Sequence, residues 1–324
     1  MGEVLGVRKP LCEAIYRAYE REAGSSSREH LGASIIGKLC ERALWYDFRW
    51  ASPITHPGRV LRLFESGQRE ESRLARDLRR LGATVLEVDP ETGRQFRVSA
   101  LGGHFAGSLD GLAWGVPDDP ARWQVLEFKT HNAKSFAELL SQGVRRAKPL
   151  HFAQVQIYMA LMELEVALYM AVCKDDDALY IERIALDPHI AAGLIAKAER
   201  IIGAQSAPAR ISDDPAHYGC RYCEHAALCH GKAAARVHCR SCLHASPVTD
   251  GWHCTRHEAM LKVAQQREGC ADHLYLSSLV PGEQIDASPE TPVQWVHYRF
   301  ADGSTWRDGL CDKRSAPSVQ EYTP

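Results

Sequence analysis

The sequence predicts an α/β chain: a mixed central sheet flanked by helices, with a small metal-bound module at the C-terminal end. Three observations carry that expectation. Apolar residues recur at helical period through residues 58–82, then alternate in several short runs, then return to helical period. Helices bracketing a run of strands pack as α/β layers rather than as a bundle or a sandwich. Past residue 205 the long periods give way to Pro, His and Cys, and seven of the eleven cysteines fall between residues 220 and 270.

Taken in order, residues 9–22 read as a short amphipathic helix. The stretch SSSREHLGASIIGKLCERALWYDFRW reads as a serine-rich turn followed by a helix bearing Cys40, Arg42, Trp45 and Tyr46. A loop from Ser52 to Gly58 precedes the first long helix, which ends on Gly82. ATVLEV, RQFRVSAL, FAGSLDGLAW and WQVLEFKT then alternate as strands, separated by turns rich in Gly, Asp and Pro. Residues 134–144 and 149–164 are helical in period, VALYMAVC and ALYIERIAL form a hairpin around Lys174 to Asp177, and 188–204 is a further helix. VQWVHYRFADGSTWRDG pairs two alternating runs around Asp302-Gly303, a strong hairpin signal, and the terminal tail is expected to fray. The domain expectation is 1–235 for the main domain and 236–324 for the small module.

Bulk composition excludes several classes. The 324 residues, 45% hydrophobic and 25% charged, suit an ordinary globular protein. With 39 basic and 41 acidic side chains, any nucleic-acid-binding surface must be local. No run approaches the roughly 18 apolar residues of a membrane span, and the N-terminus lacks a signal peptide's apolar stretch, so a cytoplasmic protein with no membrane partner is expected. In a reducing compartment a cysteine cluster binds metal more often than it forms disulfides.

One short stretch concentrates the chemistry. In WQVLEFKTHN, alternation puts Glu127 and Lys129 on one strand face with Val125, and Leu126 and Phe128 on the other. An isolated E-x-K is ordinarily a solvated edge pair. Seventeen residues earlier, GSLDG offers Asp110, which a turn alone would explain. Together Asp110, Glu127 and Lys129 have another reading: two carboxylates converge on a hard divalent cation such as magnesium, and an ammonium orients the attacking water or counters phosphate charge.

These residues resemble the PD-(D/E)XK nuclease superfamily, specifically its RecB-like and lambda-exonuclease-like branch, although Leu109 stands where the motif's Pro would precede Asp110. Two flanks extend the likeness. FESGQREE resembles the branch's G-x-x-x-E/H element and implies Glu71 near the metal, with Glu70 the adjacent alternative. KPLHFAQVQIYMAL resembles its Q-x-x-x-Y helix, with Gln154 and Tyr158 one turn apart on one face. The resemblance covers residues 30–230. It implies a restriction-endonuclease-like fold, magnesium or manganese at Glu71, Asp110 and Glu127, and hydrolysis of DNA, by an exonuclease acting on linear duplex or single-stranded ends, for phage or bacterial recombination and repair. A recombination-protein partner is part of that picture. Arg145, Arg146 and Lys148 are candidate phosphate contacts, equally readable as a solvated helix end. The rival reading is a catalytically silent DNA-binding or recombination-partner protein on the same fold.

GCRYCEHAALCHG contains C-x2-C-x5-C at Cys220, Cys223 and Cys229, a spacing open to zinc. Cys40 resembles the remote N-terminal cysteine of the iron–sulfur RecB-like nucleases, in which one cysteine before the core and three after it hold a [4Fe–4S] cluster. Farther on, Cys239, Cys242, Cys254 and Cys270 can complete a zinc-ribbon-type site, with His257 or His273 able to replace one ligand. This region is similar to cysteine-rich tails of phage-encoded nucleases. His104, His151, His225 and His230 read as surface or satisfied core residues.

Overall fold

The computed structural model describes residues 9–23, 27–231 and 233–309; Cys311, the terminal tail and part of the serine-rich turn lie outside them. The chain gathers into two compact units, each built from separated stretches. The first takes Met1–Ser26, Ile54–Arg97 and Ser108–Asp187; the second takes Ser27–Pro53, Val98–Gly107 and Pro188–Pro324. The described residues from 236 to 309 therefore fall within the second unit, while those before 236 contribute to both.

The first unit is organised by a five-stranded mixed sheet in the order Thr84–Leu86, Gly111–Trp114, Gln124–His131, Val166–Cys173, Leu179–Ala185. Gln124–His131 is the middle strand, so E-x-K is not on an edge. It runs antiparallel to Gly111–Trp114 and parallel to Val166–Cys173. A parallel step needs a long crossover, and the helices Ala133–Ala147 and Pro149–Met162 supply it. Asn132 starts the first of them by accepting a 2.9 Å hydrogen bond from Ser135 N. Pro149 opens the second, where its missing N–H costs nothing. VALYMAVC is buried at every position, as a strand covered on both faces should be.

Helix Gly58–Arg80 covers one face. Leu74, Ala75 and Leu78, spaced to share a stripe, pack with Leu126, Phe128, Leu168 and Met170. Truncating one of these buried leucines to Ala costs about 2–5 kcal/mol. The opposite face carries Val125, Glu127, Lys129 and His131.

One expected strand is two. FAGSLDGLAW breaks at Leu109 and Asp110: Phe105–Ser108 lies between Leu31–Gly32 and Arg97–Ala100 in a separate three-stranded sheet, and Gly111–Trp114 joins the five-stranded one. The break follows from Gly111, whose φ is 154° and whose added Cβ would sit 2.6 Å from Leu86 O. The Asp-Gly pair therefore marks a close backbone approach rather than a hairpin turn.

In the second unit, helix Glu41–Arg49 packs with helix Pro188–Gly203, and Trp45 Nε1 donates to Ala204 O at 3.0 Å. Two antiparallel sheets follow, Ala245–Val248 with Gly251–Cys254 and Ala259–Leu261, then Glu283–Ala287 with Val296–Arg299 and Thr305–Asp308. The hairpin expected around Asp302-Gly303 joins the last two strands. Arg240 sits at the centre of this unit, 1% exposed. Its guanidinium lies 3.7 Å from the Trp50 ring centroid and 4.7 Å from that of Trp252. It donates to Phe48 O, Glu29 O and Gln266 Oε1 at 2.9–3.1 Å. Burial pushes its pKa down to about 9. Among the described residues no helix is long and apolar enough to cross a membrane.

Candidate active site

Glu71, Asp110, Glu127, Lys129, Gln154 and Tyr158, singled out by sequence, all lie in the first unit. Helix phase decides between the two glutamates of FESGQREE. Glu71 lies three, four and seven positions before Leu74, Ala75 and Leu78 and so shares their inward stripe. Glu70 turns aside and pairs with Arg73 at 3.3 Å. Asp110, in the break before Gly111, is anchored by a 2.7 Å hydrogen bond from Phe128 N. Glu127 is fully buried.

Electrostatics bind the group together. Burial raises the Glu127 carboxyl to about 8; Asp110 and Glu71 add to the shift while Lys129 opposes it. Glu71 is raised by burial and then by Asp110, and Asp110 by burial. Lys129, whose own burial works against its charge, is nonetheless held above its ordinary value by Glu127 and Asp110. Its ammonium contacts Glu127 Oε1, lies 4.0 Å from Asp110 Oδ2, and donates to Phe128 O at 2.9 Å. Glu127 Oε1, despite that contact, receives no well-angled hydrogen bond. The three carboxylates do not all approach within 4.8 Å of one another. Carboxylates gathered around one ammonium, one of them fully buried, are the donor type that a hard divalent cation takes.

Gln154 and Tyr158 close the site from helix Pro149–Met162. Gln154 Nε2 reaches Glu127 Oε2 at 3.2 Å and Tyr158 Oη at 3.0 Å. His151, read as an ordinary core or surface residue, sits one turn earlier on the same face. Its Nδ1 is 2.9 Å from Tyr169 Oη, which is 3.1 Å from His131 Nε2. Burial lowers His151 to about 3 and His131 to about 4, with Lys129 contributing to both. Both rings are therefore neutral near pH 7. His131 was legible as the next same-face residue after Glu127 and Lys129; Tyr169 was not, because only the register Glu127↔Tyr169 places it there. Arg145 and Arg146 are exposed, Arg145 lies over Phe152 at 5.3 Å, and Lys148 pairs loosely with Glu138 at 3.6 Å.

The eight cysteines singled out as candidate ligands separate into two groups, both in the second unit. Cys40, at the N-cap of helix Glu41–Arg49, lines one small cavity with Cys220, Cys223 and Cys229. The Cys220 and Cys223 thiols are raised by burial and by the neighbouring sulfurs. Cys239, Cys242, Cys254 and Cys270 line a second cavity of about 350 Å³. There burial, joined by the facing thiols, takes Cys239 to about 11 and Cys242 to about 12. Of the two alternative ligands, His257 Nε2 lies 3.6 Å from Cys270 Sγ and 3.5 Å from Asp272 Oδ2, whereas His273 Nε2 is 3.0 Å from Ser241 Oγ. His257, Cys270 and Asp272 can share one ion. Cys220, Cys242 and Cys254 are buried, Cys40, Cys223, Cys229 and Cys239 are half-buried, and Cys270 is exposed.

A mixed sheet whose middle strand presents Glu127 and Lys129 toward an aspartate just before the adjacent strand is the restriction-endonuclease-like arrangement. The chain belongs to the PD-(D/E)XK nuclease superfamily, whose family model matches residues 14–230. Among solved structures it is similar to LHK-Exo, an alkaline exonuclease from Laribacter hongkongensis. The identity is 18%, covering 58% of this chain and 90% of that one, with TM-scores of 0.41 for the complex with dAMP and 0.40 for the other structure. It is likewise similar to the protein SSO0001, at 18% identity over 70% of this chain and 99% of that one, with a TM-score of 0.41. No curated protein sequence matches the chain.

Proposed function

We propose that this protein is a magnesium- or manganese-dependent deoxyribonuclease, an exonuclease working on the ends of linear duplex or single-stranded DNA in recombination or repair. The observation that carries the reading is Lys129 in contact with the fully buried Glu127 and 4.0 Å from Asp110, with Glu71 near enough to act on the group electrostatically. Glu71, Asp110 and Glu127 would hold the ion, which supplies positive charge beside the scissile phosphate. Lys129 orients the attacking water and counters charge on the phosphate oxygens. The water oxygen bonds to phosphorus as the bond to the leaving sugar oxygen breaks, and that oxygen leaves with a proton. Gln154 and Tyr158 hold Glu127 in place, and Arg145, Arg146 and Lys148 are offered to the DNA backbone.

In the second unit, Cys40, Cys220, Cys223 and Cys229 are proposed to hold a [4Fe–4S] cluster, and Cys239, Cys242, Cys254 and Cys270 a structural zinc. Residues 236–324 are proposed to act as a zinc-held module for DNA or for a recombination protein. The test of the enzymatic reading is labelled linear and closed circular DNA incubated with and without magnesium, using wild type and Asp110→Asn. Metal-dependent loss of linear DNA by wild type alone is expected. Equal persistence of linear DNA in all reactions, with binding retained, would make this a DNA-binding protein instead.

A further inference from the structure

Buried polar atoms without a partner are uncommon in folded proteins, and one of them borders the first cysteine cavity. His225 is 1% exposed and lines that cavity together with Cys40, Cys220, Cys223 and Cys229. Its Nε2 lies 3.0 Å from Asp47 Oδ1, and Asp47 Oδ2 is ion-paired with Lys38 Nζ at 2.9 Å. Its Nδ1 is buried with no hydrogen-bond partner. A carboxylate already paired with an ammonium is an acceptor only, so it takes the ring proton on Nε2. In the neutral imidazole this leaves a lone pair on Nδ1. A carboxylate behind one nitrogen, fixing the tautomer and leaving the other nitrogen free, is how proteins hold a metal-ligating histidine. His230 Nε2 is also buried and unpartnered at this cavity, but among the described residues no carboxylate holds its ring.

We propose that His225 ligates the metal centre of this cavity through Nδ1 in place of one of the four cysteines, making it a mixed cysteine–histidine centre, with Asp47 and Lys38 positioning the ring. The inference rests on the reading that these cysteines bind a metal. The bond is donation of the Nδ1 lone pair, with no change of oxidation state. A nitrogen donor in place of a thiolate makes an iron–sulfur centre easier to reduce.

The experiment uses the full chain, made with 15N-labelled and with unlabelled histidine and purified anaerobically, its metal identified by elemental analysis. If the metal is iron, pulsed electron paramagnetic resonance of the reduced centre is expected to show a nitrogen coupling that changes with the label. If it is zinc, X-ray absorption is expected to show a nitrogen at about 2.0–2.1 Å beside sulfurs at about 2.3 Å, lost in the difference between wild type and His225→Ala. Asp47→Ala is expected to keep the nitrogen signal but weaken metal retention by about 10–100-fold. A centre with sulfur ligands alone in the labelled wild type overturns the role of His225 and leaves the cysteine centre standing. A chain whose metal content is unaffected by Cys220→Ser and Cys223→Ser overturns both. The labelled wild-type measurement does not depend on any variant folding.

Discussion

Proton release on metal binding is the sharpest consequence of the carboxylate geometry. With its carboxyl raised to about 8 by burial, Glu127 is about nine-tenths protonated at pH 7 in the metal-free protein. A cation can use only the carboxylate. Uptake of Mn²⁺ at pH 7 should therefore release about 0.9 proton from this residue, and the apparent affinity should rise by about tenfold per pH unit between pH 6 and 8 before levelling. The stability sign is the opposite of the usual carboxylate case. Because the folded-state pKa lies above the ordinary 4.5, this group favours the metal-free fold most below pH 4.5, and that contribution is lost as pH rises through 8. Calorimetric titration of Mn²⁺ without DNA, in two buffers of different ionisation enthalpy, counts the protons directly. Glu127→Gln should remove both the proton release and the pH slope. An affinity that stays flat from pH 6 to 8 in wild type, or a slope that survives in the variant, would refute the assignment of Glu127 as a metal ligand.

Four other outcomes follow from particular contacts. Glu71→Ala should lower metal-dependent DNA degradation by about 10²–10⁴-fold, the range for loss of a group acting in the reaction, while Glu70→Ala, whose partner is Arg73, should leave the rate within about twofold. Gln154→Ala should weaken Mn²⁺ binding by about 10–100-fold with an unchanged circular dichroism spectrum, as expected of a residue that only steadies Glu127. Gly111→Ala should lower the melting temperature by the equivalent of about 1–3 kcal/mol, because its Cβ meets the Leu86 carbonyl at 2.6 Å. Arg240→Ala should cost about 3–5 kcal/mol in chemical denaturation, and Arg240→Lys should recover little, because an ammonium cannot stack flat on Trp50 while serving three acceptors.

Sequence reasoning reached the first unit more fully than the second, for reasons that can be named. Period-2 alternation over Val125 to Lys129 and period-3.6 spacing over Leu74 to Leu78 are local signals, and they placed Glu127, Lys129 and the long helix correctly. The choice of Glu71 over Glu70 was available from the same helical stripe. FAGSLDGLAW was misjudged as one strand because its break depends on Leu86, more than twenty residues away, pressing on Gly111. His225, read as a surface or satisfied core residue, is buried against Asp47, 178 positions earlier, a partner that no local pattern names. In the second unit, Ser27–Pro53 and Val98–Gly107 join residues far downstream, and no short-range pattern announces such partnerships.

Glu71, Asp110 and Glu127 come from three stretches of chain, and the middle strand that bears Glu127 is completed only when Val166–Cys173 pairs beside it. A chain still emerging from the ribosome, or one clipped before that strand, has the acidic residues but no site in which they meet. Any chemistry at this site therefore depends on a sheet that residues distant in sequence must complete.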